Sequence, residues 1–179
     1  MKLTQILNTL ISEVGEGSSQ PFEYLAANGM TSGMMDYAIN GITSKGDNID
    51  IELNVVVGGT YLIDDIDNYN LAQKDGKVMY ISFSIESING ETPDRKYGEI
   101  NDVQYMYRLM ATLKEIMLPM IEKEDVSFIT YSPSSKVVNA FSNDKGKGRD
   151  ILYKLFIGKE FPNSEVYEKD DRRLIVLNR

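Results

Sequence analysis

Apolar positions along the chain follow two periods, one helical and one extended, separated by glycine-rich and acidic breaks. Leu3, Ile6, Leu7, Leu10, Ile11 and Val14 keep the i, i+3, i+4, i+7 spacing of an amphipathic helix. Gly15 stands where a helix C-cap would, and the run Gly-Glu-Gly-Ser-Ser-Gln-Pro at 15–21 breaks the pattern. Such a stripe needs a surface to cover it. Leu3, Ile6, Leu7, Leu10 and Ile11 are therefore candidate contact residues, facing either a partner or the chain's own body.

Residues 15–48 read as a linker with irregular or short-strand structure. Tyr37-Ala38-Ile39-Asn40 has strand character and ends at Gly41, and Lys45-Gly46-Asp47-Asn48 has the composition of a hairpin turn. Beyond it the extended period is clean. Ile49, Ile51, Leu53, Val55 and Val57 alternate with Asp50, Glu52, Asn54 and Val56, up to Gly58-Gly59. The stretch 60–77 is acidic and turn-rich. A second strand is expected over 78–86, where Met79, Ile81, Phe83 and Ile85 oppose Ser82, Ser84 and Glu86, with Asn89-Gly90 closing it.

The helical period returns over 102–122, through Met106, Leu109, Met110, Leu113, Ile116, Met117, Met120 and Ile121. Asn101 or Asp102 is placed to cap it, and Pro119 is expected to kink the last turn or finish the helix. A strand at 126–131, a Gly/Lys loop at 143–148, a short helix at 149–158 and a strand of Leu174, Ile175, Val176 and Leu177 complete the chain. This order predicts an α+β fold, a mostly antiparallel central sheet with packed helices, plus the N-terminal amphipathic helix. The partition is 1–14 as a docking helix, 15–48 as linker and short strand, and 49–179 as the α+β domain.

Composition narrows the chemistry. A length of 179 residues with 42% apolar suits one domain and one core, and no apolar run is long enough to cross a membrane. At the start, Thr4, Gln5, Asn8, Thr9 and Ser12 interrupt the apolar run and no small-residue cleavage site follows, so synthesis and retention in a cytoplasm are expected. The absence of histidine and cysteine excludes imidazole bases, thiolate nucleophiles, disulfides and their metal sites. A formal net charge of −8 makes nucleic acid a poor partner, because that binding rests on a Lys/Arg footprint.

Few constellations remain. Asp64, Asp65 and Asp67 lack the glycine and terminal glutamate of a calcium loop and read as a solvated acidic loop. Lys145, Lys147 and Arg149 precede a helix and are candidates for a small anion site, without the spacing of a phosphate-binding loop; the plainer reading is a solvated loop. Methionine suits adaptable contacts, which makes Met34 and Met35 candidate interface residues, while the methionines of 106–120 read as core. No metal and no cofactor is expected.

The order strand, strand, long helix, strand, short helix, strand over about 49–177 resembles the Gcn5-related N-acetyltransferase (GNAT) fold. The resemblance is carried by Arg108-Leu109-Met110-Ala111-Thr112-Leu113, Ser127-Phe128-Ile129-Thr130-Tyr131 and Arg149-Asp150-Ile151-Leu152-Tyr153-Lys154-Leu155-Phe156. It implies Tyr153 as a general acid toward the leaving thiolate of coenzyme A; the alternative is a helix tyrosine with a packed ring. GNAT enzymes seat the cofactor pyrophosphate on a glycine-rich loop at the start of the long helix. Here that place reads Gly98-Glu99-Ile100-Asn101-Asp102, whose acids repel a pyrophosphate.

A second resemblance is to a group of small tailed-bacteriophage proteins. Its motifs are Glu13-Val14-Gly15-Glu16-Gly17-Ser18 followed by Pro21-Phe22, the Arg-x-Met-Ala-Thr helix at 108–112, and Ser132-Pro133-Ser134. It implies a virion or virion-associated role. Together the readings predict a non-catalytic structural or assembly component of the particle, a connector or tail ring or a packaged protein. Its partners would be other virion proteins and copies of itself. The alternatives are an acetyl-coenzyme A-dependent N-acyltransferase and a host-directed inhibitor.

Overall fold

A computed structural model describes residues 19–26, 33–59, 76–92, 102–131, 157–169 and 172–178. In chain order these residues form β1 (Glu23–Ala26), β2 (Met34–Ile42), β3 (Asn48–Gly58), β4 (Lys77–Ile88), α1 (Val103–Glu124), β5 (Val126–Tyr131), β6 (Glu165–Lys169) and β7 (Arg172–Val176). Residues 157–160 are also helical. The protein is α+β, with a seven-stranded mixed sheet in the order β1-β2-β3-β4-β5-β7-β6. All pairings are antiparallel except β4 with β5. A parallel neighbour cannot be reached by a tight turn, and α1 is part of the connection that returns the chain.

Strand alternation sets the two faces. On β3, Ile49, Ile51, Leu53 and Val55 are buried while Asp50, Glu52 and Asn54 point the other way. The buried side joins Ile39, Met79, Ile81 and Ile129 and is covered by α1 through Leu109, Leu113, Ile116, Met117 and Ile121. A smaller cluster, Val78, Phe128, Leu174 and Val176, lies elsewhere in the sheet, with Tyr167 packed against it.

Several expectations change at their edges. β1 and β6 were not expected, and β2 is longer than the predicted short strand. β2 lies in the stretch 15–48 yet pairs with β3 along its whole length, Met34↔Val56 to Ile42↔Asn48, so both belong to one sheet. β1 is short and its exposed Glu23, Leu25 and Ala26 give it no apolar run to detect. Helix α1 does not stop at Pro119. It continues to Glu124 and ends on left-handed Asp125, whose N–H reaches the carbonyls of Glu122 and Ile121. A helical proline strips its donor from the carbonyl four residues back. That residue is Glu115, on the exposed side of the helix, where water can bond the carbonyl. Of the short helix expected at 149–158, the part before 157 lies outside the described residues, and the helical turn extends to 160. Lys114 ties that turn to α1 by an ion pair with Glu160 at 2.6 Å.

Candidate functional site

The chemistry-bearing residues gather around the first two turns of α1. The chain leaves β4 at a tight turn, Asn89-Gly90, both with positive φ as a two-residue turn of this kind requires. Ile88 and Glu91 exchange N–H···O bonds of 2.9 and 3.0 Å across it. The Asn89 side chain joins this turn to the β2–β3 turn, accepting from the Asn48 N–H at 2.8 Å and donating to Asp47 at 3.0 Å. Just before it, β4 carries a bulge: Ser87 pairs with Asp50 but Ile85 pairs with Ile51, which leaves Glu86 as the extra residue.

The start of a helix offers unpaired N–H groups and a positive dipole end, the ordinary seat of an anion. In this chain the seat holds Asp102. Its extended backbone (φ −129, ψ 109) turns the carboxylate onto the N–H of Tyr105 at 3.0 Å. The same carboxylate accepts from the N–H of Ser44, in the β2–β3 turn. Partial desolvation pushes the Asp102 carboxyl up. The donors of Tyr105, Ser44 and Gln104 outweigh it and hold the carboxyl below the usual range. One side chain thus caps the helix and fastens it to a hairpin.

One turn further, α1 grips the residues that lead into β1. Arg108 donates from Nε to the Gln20 carbonyl at 3.0 Å and from its terminal nitrogen to the Pro21 carbonyl at 3.4 Å. Its guanidinium carbon lies 4.2 Å from the centre of the Phe22 ring, in cation–π range. Buried Thr112 accepts from the Phe22 N–H and donates to the Arg108 carbonyl, both at 2.8 Å. Phe22 in turn packs on Tyr105, ring centres 4.7 Å apart. Gly41 leaves the room for that ring, since a Cβ there would lie 2.6 Å from the Tyr105 ring and 2.8 Å from its hydroxyl. Burial pushes the Tyr105 phenol well above its ordinary value; Asp50 adds to the rise and Arg108 opposes it. The phenol stays neutral, and its buried hydroxyl has no hydrogen-bond partner among the described residues.

Two motifs distant in sequence, Pro21-Phe22 and Arg108-x-Met-Ala-Thr112, are therefore one structural clamp. Three polar side chains in and beside it hold the fold: Arg108 on two carbonyls, Thr112 between two backbone groups, Asp102 on two N–H groups. Compared with protein-family models, curated proteins and solved structures, the chain matches none.

The residues singled out from sequence fall in three places. Tyr153, Lys145, Lys147 and Arg149 lie outside the described residues, as do Asp64, Asp65, Asp67 and the stripe of Leu3, Ile6, Leu7, Leu10 and Ile11. Met34 and Met35 open β2 on opposite sides. Met34 is 44% exposed, whereas Met35 packs against the core and its sulfur accepts from the Tyr37 hydroxyl at 3.5 Å. Sequence reasoning missed Leu25 and Ile42, exposed apolar residues on β1 and β2 at 73% and 58%. For Ile42 the alternation Tyr37, Ile39, Gly41 against Ala38, Asn40, Ile42 was the available signal. Among the described residues no group of acidic side chains is placed to hold a metal, and no helix is long and apolar enough to cross a membrane.

Proposed function

We propose that this chain is a non-catalytic GNAT-like domain that serves as a structural or assembly component of a tailed-phage virion and works through protein–protein contacts. The observation that carries the non-catalytic part is Asp102. A GNAT enzyme would place the cofactor pyrophosphate at the start of the long helix, and here an internal carboxylate sits on those N–H groups. Bringing in a pyrophosphate would require expelling the cap and setting anion against anion. The GNAT likeness is supported by the parallel β4–β5 pair with α1 in its connection. The contact role is supported by Leu25, Met34 and Ile42, large apolar side chains left exposed on β1 and β2. The phage setting rests on the resemblance of the short motifs, two of which meet in the clamp.

The reading expects the protein in purified particles at a fixed copy number, and as a symmetric oligomer or bound to other virion proteins. Mass spectrometry of intact, density-purified virions is the test, and absence from them sinks the proposal.

A second reading, N-acyl transfer from acetyl-coenzyme A, has one observation in its favour. Along β4 only Lys77–Ile81 pairs with β5, while β4 runs on to Ile88 past the bulge at Glu86. The carboxyl ends of a parallel pair are where α/β sheets commonly bind ligands. This reading requires acetyl-coenzyme A to raise the melting temperature, since a ligand of the folded state alone stabilises it. The first reading expects no shift at millimolar cofactor.

A further inference from the structure

The hydroxyl of buried Tyr37, on β2, meets sulfur on two sides. It lies 3.5 Å from Met35 Sδ and 3.5 Å from Met120 Sδ. A phenol has one O–H hydrogen, so the two sulfurs share it. Among the described residues it has no oxygen or nitrogen acceptor. Met35 stands two residues earlier on the same side of β2, level with Val55 of β3, and Met120 comes from near the end of α1. The contact thus joins sheet and helix. Thioethers are weak acceptors, so this phenol forgoes much of an ordinary hydrogen bond. The two sulfurs differ in access. Met120 is buried, as are Met79, Met106, Met110 and Met117. Met35 is half-buried near the start of β2, and its neighbour Met34 is exposed on the opposite side.

Oxidation turns an apolar thioether into a polar sulfoxide, whose oxygen is a far better acceptor than the sulfur was. In a packed site the change is ordinarily damaging, because the new oxygen is buried without a donor. At Met35 a donor already points at the sulfur. An O–H···O bond needs about 2.7 Å between its oxygens. The present 3.5 Å to the sulfur leaves room for a new oxygen set off the line between them. We propose that Met35 is a site of reversible oxidation by peroxide, and that the fold accommodates its sulfoxide through the Tyr37 hydroxyl. One peroxide oxygen passes to the Met35 sulfur. An S–O bond forms and the O–O bond breaks. The sulfur loses two electrons, and the remaining oxygen leaves as water with both hydrogens. The Tyr37 hydrogen turns to the new oxygen and leaves Met120. A methionine sulfoxide reductase, with a dithiol as reductant, returns the thioether. This inference goes beyond the contact role proposed above and does not depend on it.

The probe is hydrogen peroxide, applied to the folded full chain, with peptide mapping by mass spectrometry to follow each methionine. Met34 and Met35 should be oxidised well before Met79, Met106, Met110, Met117 and Met120. Thermal unfolding before and after treatment is then compared in wild type, Met35→Leu, Tyr37→Phe and the double variant Met35→Leu/Tyr37→Phe. Both substitutions nearly keep the volume of the site, and circular dichroism of the untreated chains checks their fold. Met35→Leu undergoes every oxidation except the one in question. Treated wild type should lose no more than about 1 °C beyond the loss of treated Met35→Leu. In the Tyr37→Phe background the same difference should be about 3 °C or more, because the sulfoxide is then a packed acceptor without its donor. Near-ultraviolet difference absorption reads the phenol directly. Oxidation should shift tyrosine absorption to the red in wild type and not in Met35→Leu. Protection of Met35 equal to that of Met120, an equal loss with and without the Tyr37 hydroxyl, or no tyrosine shift overturns the inference.

Discussion

On the side of the sheet that meets α1, Ile39, Leu53, Val55 and Met79 are fully buried. On the other side of the same strands stand Asn40, Asp50, Glu52 and Ser84, half-buried or exposed. The backbone is shared and only the alternate side chains differ. The helix-covered side holds the strands together, and these residues of the other side stay half-buried or exposed. The difference shows why one sheet can tolerate a column of carboxylates: the cost of their repulsion falls in high-dielectric surroundings, while the gain from burial falls in the core.

This contrast can be broken by substitution. The largest effect is expected from Leu53→Ala, which opens a cavity under α1 and should cost between about 2 and 5 kcal/mol in denaturant unfolding. A loss below 1 kcal/mol would mean that the core is not centred there. Gly41→Ala drives a Cβ into the Tyr105 ring and should cost between about 1 and 3 kcal/mol by overpacking. Thr112→Val leaves the Phe22 N–H without its acceptor and should cost a similar amount, between about 1 and 3 kcal/mol. Faster hydrogen exchange at the Phe22 amide would localise that effect to the clamp.

Asp102→Ala should cost about 1 kcal/mol, as loss of a helix cap usually does. Its pH dependence has a defined sign. The folded carboxyl sits below its ordinary value, so the stabilisation is complete above an unfolded pKa of about 3.9 and is lost as pH falls through the folded value. The gap between wild type and Asp102→Ala should therefore be full near neutrality and close in acid. A constant gap down to low pH would show that the carboxylate charge contributes nothing. Smallest of all, Leu25→Ser and Glu52→Lys should each change stability by no more than about 0.5 kcal/mol. A larger loss from either would mean that the acidic side is structural after all.

Much of the fold was legible because periodicity records burial. The β3 alternation, the long helical stripe and the strand at 126–131 appear within one or two residues of their expected limits. Asp102 was legible as a cap from its residue type and place, though not its second bond to Ser44, which lies 58 residues away. β1 was not legible, because a short edge strand with three exposed residues has no pattern of its own. Pro119 does not finish the helix, one of the two outcomes expected of it, because the penalty for a helical proline depends on whether the freed carbonyl faces water. The clamp was half legible: both motifs stood out through the resemblance to small phage proteins, and neither pointed at the other.

The sequence by itself determined the class of the fold and the limits on chemistry. Strand and helix periods are local, and a chain without histidine or cysteine lacks their chemistry in any conformation. Tertiary structure decided that β4 and β5 run parallel, that Arg108 and Thr112 close on Gln20–Phe22, and that the carboxylates of four strands share one face with Leu25 and Ile42. Those are pairings between residues far apart in the chain, set by which buried surfaces fit together, and local composition carries no record of its distant partner.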